Sequence, residues 1–115
     1  MLNELRDEIH TNAKNHGFYE NEKNIPEILM LIVSELGEAM EAYRKDHYTG
    51  KYALQKNISN NDFELFIKDR FEDEIADTII RLLDLCGYMK IDIDTHVALK
   101  MKYNESRPYK HGKKC

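Results

Sequence analysis

Two acidic couplets hold the chemical potential of this chain: Glu35-Leu-Gly-Glu38 and Glu74-Ile-Ala-Asp77, each inside a stretch of helical periodicity. Residues three apart share one face of a helix, so each couplet is a small patch of carboxylate. Projected at roughly 100° per residue, Glu35 falls between Ile28, Leu31, Ala39 and Ala42, within the apolar arc of its helix. An ionised carboxylate facing a core is unfavourable unless it is paired or holds a metal. Four such groups converging would repel one another, and a divalent cation is their simplest partner. Oxygen-only ligands select a hard ion, Mg²⁺ or Mn²⁺ in its place, over zinc. A single ExxE on a helix is a weak signal, because Glu is a good helix former. Two couplets on different helices, one of them in an apolar arc, are a much stronger one. A di-iron bundle would need repeated Glu-x-x-His motifs, and Asp7-x-x-His10 is the only acid-x-x-His in the sequence.

The elements that must position these acids follow from spacing and punctuation. A first helix is predicted from about Asn3 to Asn15, with Leu2, Leu5, Ile9 and Ala13 on one side and Gly17 as its stop. Asn24 as N-cap and Pro26 in the first turn open a second helix, where Ile28, Leu29, Ile32, Leu36, Met40 and Tyr43 keep helical spacing to about Asp46. His47 to Asn60, with Gly50 and weak periodicity, reads as a loop holding at most a short turn of helix. Ser59, Asn60 or Asn61 can cap a long third helix ending near Lys90, with Ile75, Ile79, Leu82, Leu85, Cys86 and Met89 as its buried arc. Glu74, Asp77, Arg81 and Asp84 form a polar stripe beside that arc, a place equally open to a solvated edge. Asp94 or Thr95 caps a fourth helix through about Asn104. Pro108 and Gly112 make the following tail irregular. The expected architecture is all-α, an antiparallel bundle of about four helices over residues 1–104, with a basic tail over 105–115.

At 115 residues the chain has room for one domain and one modest core, burying roughly two-thirds of its unfolded surface. No stretch approaches the roughly 18 apolar residues of a membrane span, and Met1 to Asp7 lacks the apolar run of a signal peptide. Cys86 reads as a core residue and Cys115 ends the sequence, so neither a disulfide framework nor a zinc motif is visible. A cytoplasmic, membrane-free protein is expected. Lys100 to Cys115 carries six Lys or Arg and one Glu, a net of +5, leaving −9 on residues 1–99 within the overall −4. An acidic body with a basic tail does not suit duplex DNA or other nucleic acid. It suits metal on the body and phosphate on the tail.

The strings Ser34-Glu-Leu-Gly-Glu-Ala-Met-Glu-Ala-Tyr-Arg44, Glu72-Asp-Glu-Ile-Ala-Asp-Thr-Ile-Ile-Arg81 and Lys102-Tyr-Asn-Glu-Ser-Arg-Pro-Tyr-Lys-His-Gly-Lys113 together resemble the MazG-like all-α nucleoside triphosphate pyrophosphohydrolases. The resemblance implies that Glu35, Glu38, Glu74 and Asp77 are Mg²⁺ ligands. It implies cleavage of a nucleoside or deoxynucleoside triphosphate to the monophosphate and pyrophosphate, and assembly through helix faces as a homodimer or homotetramer. His10, Phe18 and Tyr19 resemble positions that stack on or bond to the nucleobase, although Phe18 and Tyr19 would equally serve to close the bundle after Gly17. Lys100 and Asn104 match the family's tail pattern. Arg107, Lys110 and Lys113 could reach phosphates as forks or point charges, or belong to a disordered tail. Arg81 either neutralises the acids or meets a phosphate.

Glu38 or Glu35 is the expected general base, with Glu41 a spare one turn on. The 35 residues between Glu38 and Glu74 exceed the usual family spacing and imply an insertion around His47 to Phe66, and Ser34 stands where many relatives carry Glu. The chain has no GxxxxGK[ST] loop for terminal phosphates, which favours attack at the α-phosphorus. A phosphoribosyl-ATP pyrophosphohydrolase and a non-catalytic helical interaction module are the competing expectations.

Overall fold

A computed structural model describes residues 1–51, 55 and 57–114, apart from the side chain of His111. Cys115 and part of the loop expected over His47 to Asn60 (Tyr52, Ala53, Leu54 and Lys56) lie outside the described residues. The elements are α1 (Leu2–Asn15), α2 (Ile25–Arg44), α3 (Asn60–Phe66), α4 (Phe71–Tyr88) and α5 (Ile93–Glu105), followed by a 3-10 turn at Tyr109–Gly112. No strand occurs among the described residues. The class is all-α, as expected.

The predicted start signals act where they were placed. The Asn24 side chain accepts from the Glu27 N–H at 3.0 Å, with Pro26 in the first turn of α2. Ser59 accepts from the Asp62 N–H at 3.1 Å. Gly17 takes φ +84° just past α1, a left-handed backbone that favours glycine.

Three boundaries differ from expectation. The single long third helix is two helices, α3 and α4, giving five helices among the described residues rather than about four. The break has no Gly or Pro. Asp69 instead adopts φ +64°, and its N–H is capped by the Asp73 carboxylate at 3.0 Å. The α5 cap is Asp92, not Asp94 or Thr95; it accepts from the Thr95 N–H at 3.1 Å and from the Thr95 hydroxyl at 2.7 Å. Hydrogen bonds from Asn3 and Thr95 hold the Asp92 carboxyl down at about 2. Asp94 caps α1, accepting from the N–H groups of Leu2 (2.7 Å) and Asn3 (3.1 Å), while Asn3 Oδ1 accepts from the Ile93 N–H at 3.0 Å. Two helix starts thus satisfy each other's orphan donors. Finally, the tail is not wholly irregular, since Pro108 leads into the 3-10 turn.

Helix α4 is the centre of the packing, with α2 and α1 both lying closely against it and α5 against α1. Gly87 lets α1 come near: a Cβ there would sit 2.6 Å from His10 Cβ. Arg6 Nη1 donates to the Ile91 carbonyl at 2.6 Å, four residues before His10 meets Asp84, so α1 and α4 run in opposite senses. The α2 end is tied to the α4 start: Phe71 N–H donates to the His47 carbonyl at 2.8 Å, and Thr49 N–H donates to Glu72 Oε1 at 3.0 Å.

The buried faces are rotated from those predicted. On α2 the buried residues are Ile32, Glu35, Ala39 and Ala42, whereas Leu29, Leu36, Met40 and Tyr43 are exposed. On α4 they are Glu74, Thr78, Leu83, Leu85 and Cys86, whereas Ile79, Leu82 and Met89 are exposed. The stripe from Glu74 to Asp84 therefore faces inward, and is not a solvated edge. Among the described residues no helix is long and apolar enough to cross a membrane.

Candidate functional site

The alanines of α2, at positions 39 and 42, have side chains short enough for carboxylates to fit between the helices. Glu35 (8% exposed) and Glu74 (3%) are buried, and Asp77 is half-buried. One carboxylate oxygen from each of Glu35, Glu74 and Asp77 lies within 4.8 Å of the others. Glu38 is exposed, yet its carboxyl adjoins those of Glu35 and Glu74 closely enough to perturb both. Glu35 Oε2 and Glu74 Oε2 are buried without a hydrogen-bond partner. Buried polar atoms are rarely left so. A second acidic group, Asp69, Asp73 and Glu74, shares Glu74 with the first. Asp73 is already engaged there by the Asp69 N–H.

Electrostatics sort these acids. Burial, followed by the neighbouring Glu38 and Glu35, pushes Glu74 up to about 8. Burial, with repulsion from Asp73 and Glu35, also raises Asp77. For Glu35 burial acts upward too, but the hydrogen bond from Arg81 and the adjoining Glu74 and Glu38 carboxyls outweigh it and hold the carboxyl below its ordinary range. The Arg81 bond runs from Nε to Glu35 Oε1 at 2.9 Å. The Arg81 side chain is 42% exposed, and its Nη groups make no hydrogen bond among the described residues.

Arg81, Glu35 and Asp77 border a cavity of about 780 Å³ whose far wall is α1 and the segment that follows it. Phe18, Tyr19 and Asp84 also line it. Tyr19 donates its hydroxyl to Asp84 Oδ2 at 2.8 Å, and His10 Nδ1 lies 2.9 Å from Asp84 Oδ1. The Tyr19 ring stacks on Tyr88 with centroids 5.2 Å apart and meets His10 edge-on at 4.7 Å. Burial, then the bond to Asp84, raises Tyr19, so its hydroxyl stays protonated as a donor. Asp84 was not singled out in the sequence beyond its place in the polar stripe. Its i+7 relation to Asp77 is the signal that could have found it.

The tail residues gather elsewhere. Lys100 and Arg107 lie over the Tyr103 ring, at 5.1 and 5.5 Å from its centroid, and Lys110 lies over Tyr109 at 5.7 Å. Asn104 is half-buried with Oδ1 unpartnered, and Lys113 is exposed. None of these five lines the cavity. Glu41 is turned to Arg44 and Lys45, each at 3.7 Å. No protein-family model, curated protein or solved structure matches the chain.

Proposed function

We propose that the chain is a metal-dependent nucleotide pyrophosphohydrolase of the MazG-like kind, cleaving a nucleoside or deoxynucleoside triphosphate to the monophosphate and pyrophosphate in cytoplasmic nucleotide-pool clearance. One observation carries the reading: three carboxylates from two helices converge within 4.8 Å at the edge of a ligand-sized cavity, and the buried oxygens Glu35 Oε2 and Glu74 Oε2 have no partner. An all-oxygen, anionic donor set fits a hard divalent cation. Glu35, Glu74 and Asp77 would hold Mg²⁺ or Mn²⁺, with Glu38 as the fourth ligand. When bound, such an ion polarises phosphate oxygens and makes a bound water more acidic.

The chain's own groups divide the remaining work. Arg81, fixed to Glu35 through Nε, offers its two Nη groups to phosphate oxygens as a fork. Glu38 is open to solvent and makes no ion pair among the described residues, so a Glu38 oxygen not used on the ion could take a proton from the attacking water. Glu35, with one oxygen committed to Arg81, is the poorer base. Phe18, 63% exposed on the cavity wall, is available to stack on a base, a contact worth about 1 to 3 kcal/mol.

Assembly belongs to the same proposal. The accessible surface is 9258 Å² for 13.6 kDa, against about 6,600 Å² expected of a folded monomer of that mass. The excess is of the order that an obligate interface buries. A homodimer or homotetramer joined through α2 and α4 would cover Leu29, Val33, Leu36 and Met40.

The test is a panel of NTPs, dNTPs and phosphoribosyl-ATP with Mg²⁺, scored for pyrophosphate against orthophosphate. Glu38→Gln and Asp77→Asn should each lower turnover by about 10²-fold or more with unchanged helical circular dichroism. Near-normal turnover in either variant, or orthophosphate as the product, overturns the mechanism. Absence of any metal-dependent hydrolysis leaves a non-catalytic helical module.

A further inference from the structure

The cavity reaches beyond the acids to a second polar group that phosphate chemistry does not use. Asp77, Arg81 and Asp84 follow one another along a single face of α4, and all three line the cavity. Seven residues of helix place Asp84 about 10 Å along the axis from Asp77. That separation is comparable to the reach from the α-phosphorus of a nucleotide to the far edge of its base.

Asp84 is held on both oxygens. His10 Nδ1 lies 2.9 Å from Oδ1, and the Tyr19 hydroxyl donates to Oδ2 at 2.8 Å. Tyr19 is braced by stacking on Tyr88, and His10 is seated against Gly87. The carboxylate cannot turn away from whatever enters. Each of its oxygens retains further acceptor capacity, and an ionised carboxylate has no donor. Ile9, Ile80 and Phe18 give the cavity apolar walls, with Asn12, His16 and Lys23 among its polar lining. The site would take a flat, mostly apolar ring with N–H groups on one edge.

We propose, on the premise that the cavity binds nucleotides, that Asp84 reads the exocyclic amino group of the base, so that the protein favours cytosine, adenine or guanine nucleotides over those of uracil or thymine. Carboxylates accept from the cytosine amino group where proteins read base edges. Guanine offers two adjacent N–H donors. Uracil and thymine flank their one N–H with carbonyl oxygens, and a fixed carboxylate then faces oxygen with no donor between. Such a contact rejects by setting a carbonyl oxygen of the base against the carboxylate with no donor between them, a stronger filter than shape alone.

CTP and UTP make the cleanest pair of probes, with CMP and UMP as their non-hydrolysable counterparts. The unaltered protein with Mg²⁺ should process CTP with kcat/KM at least about tenfold above UTP, and calorimetry should rank CMP above UMP. Asp84→Asn, which presents both a donor and an acceptor, should bring each ratio to within about threefold. Tyr19→Phe, which frees one Asp84 oxygen, should narrow them in the same direction. If UTP equals or exceeds CTP, or if Asp84→Asn folds and leaves the ratios unchanged, the proposal is overturned. If no triphosphate is hydrolysed but CMP binds at least tenfold more tightly than UMP, the catalytic reading fails and the base-edge assignment stands. If CMP does not bind in preference to UMP, the assignment fails whatever the activity.

Discussion

Glu74 is the residue on which this site turns, because it is the most buried carboxyl and the one whose proton is held most tightly. Its carboxyl is raised from 4.5 to about 8 in the folded protein, so the native state binds that proton more strongly than the unfolded chain does. The stabilisation is fully present below about 4.5 and is lost as pH rises through about 8. Asp92, held at about 2, contributes with the opposite sign, but its contribution is complete well before that window opens. The metal-free protein should therefore lose stability as pH rises from about 5 to about 8, with a slope below the roughly 1.4 kcal/mol per pH unit of a single isolated site, since Glu38 beside it is open to water. Thermal melting in EDTA across that range measures the slope. Glu74→Gln should flatten it, and Mg²⁺ should reverse it, because a ligand carboxylate must give up its proton. A melting temperature in EDTA that rises toward pH 8 would dissociate Glu74 from the acidic cluster. The position of Glu35 was legible in the sequence, since a carboxylate inside an apolar arc demands a partner. The Asp84 network was not, because a hydrogen bond spanning 74 residues leaves no local trace.

At the level of elements, the approach of α1 to α4 hangs on Gly87. A methyl group there would meet His10 Cβ at 2.6 Å, a main-chain-anchored atom that cannot swing aside. Gly87→Ala should push α1 outward and lower stability by about 1 to 3 kcal/mol, read as a drop in melting temperature. The same shift should weaken the His10–Asp84 contact, seen as a changed His10 signal in NMR. Full native stability in Gly87→Ala would mean that the packing of α1 on α4 does not depend on this close approach. Helix starts were legible at Asn24 and Ser59, which cap their own helices, but not at α5, where Asp92 and not the neighbouring Asp94 or Thr95 makes the cap. They were illegible where the cap comes from afar, as Asp94 reaches α1. The break between α3 and α4 escaped notice because Ile67 to Arg70 contains no breaker residue; an Asp in the left-handed region makes the turn.

For the molecule as a whole, the exposed seam of α2 is the dominant fact. Leu29, Val33, Leu36, Met40 and Tyr43 recur at alternating steps of four and three, the spacing of a helix that meets another helix. Leu29, Leu36, Met40 and Tyr43 read as core in the sequence, since periodicity marks an apolar face but does not say what covers it. The radius of gyration, 16.9 Å, exceeds the roughly 13 Å expected of a compact chain of this length. The double variant Val33→Asp, Leu36→Asp should reduce the molar mass in light scattering by half or more, and helical circular dichroism should be retained in part. An unchanged mass would overturn assembly through α2.

The tie between the end of α2 and the start of α4 bears on how such a chain can change over generations. His47 to Phe71 and Thr49 to Glu72 close the segment between them like a clasp at the first residues of α4. Lengthening a closed loop adds only about 0.6 kcal/mol per doubling. Residues could accumulate or disappear between the two halves of the clasp without altering the register of Glu35 against Arg81. Such a clasp would let the length of that spacer change while the acidic residues of α2 and α4 keep their places.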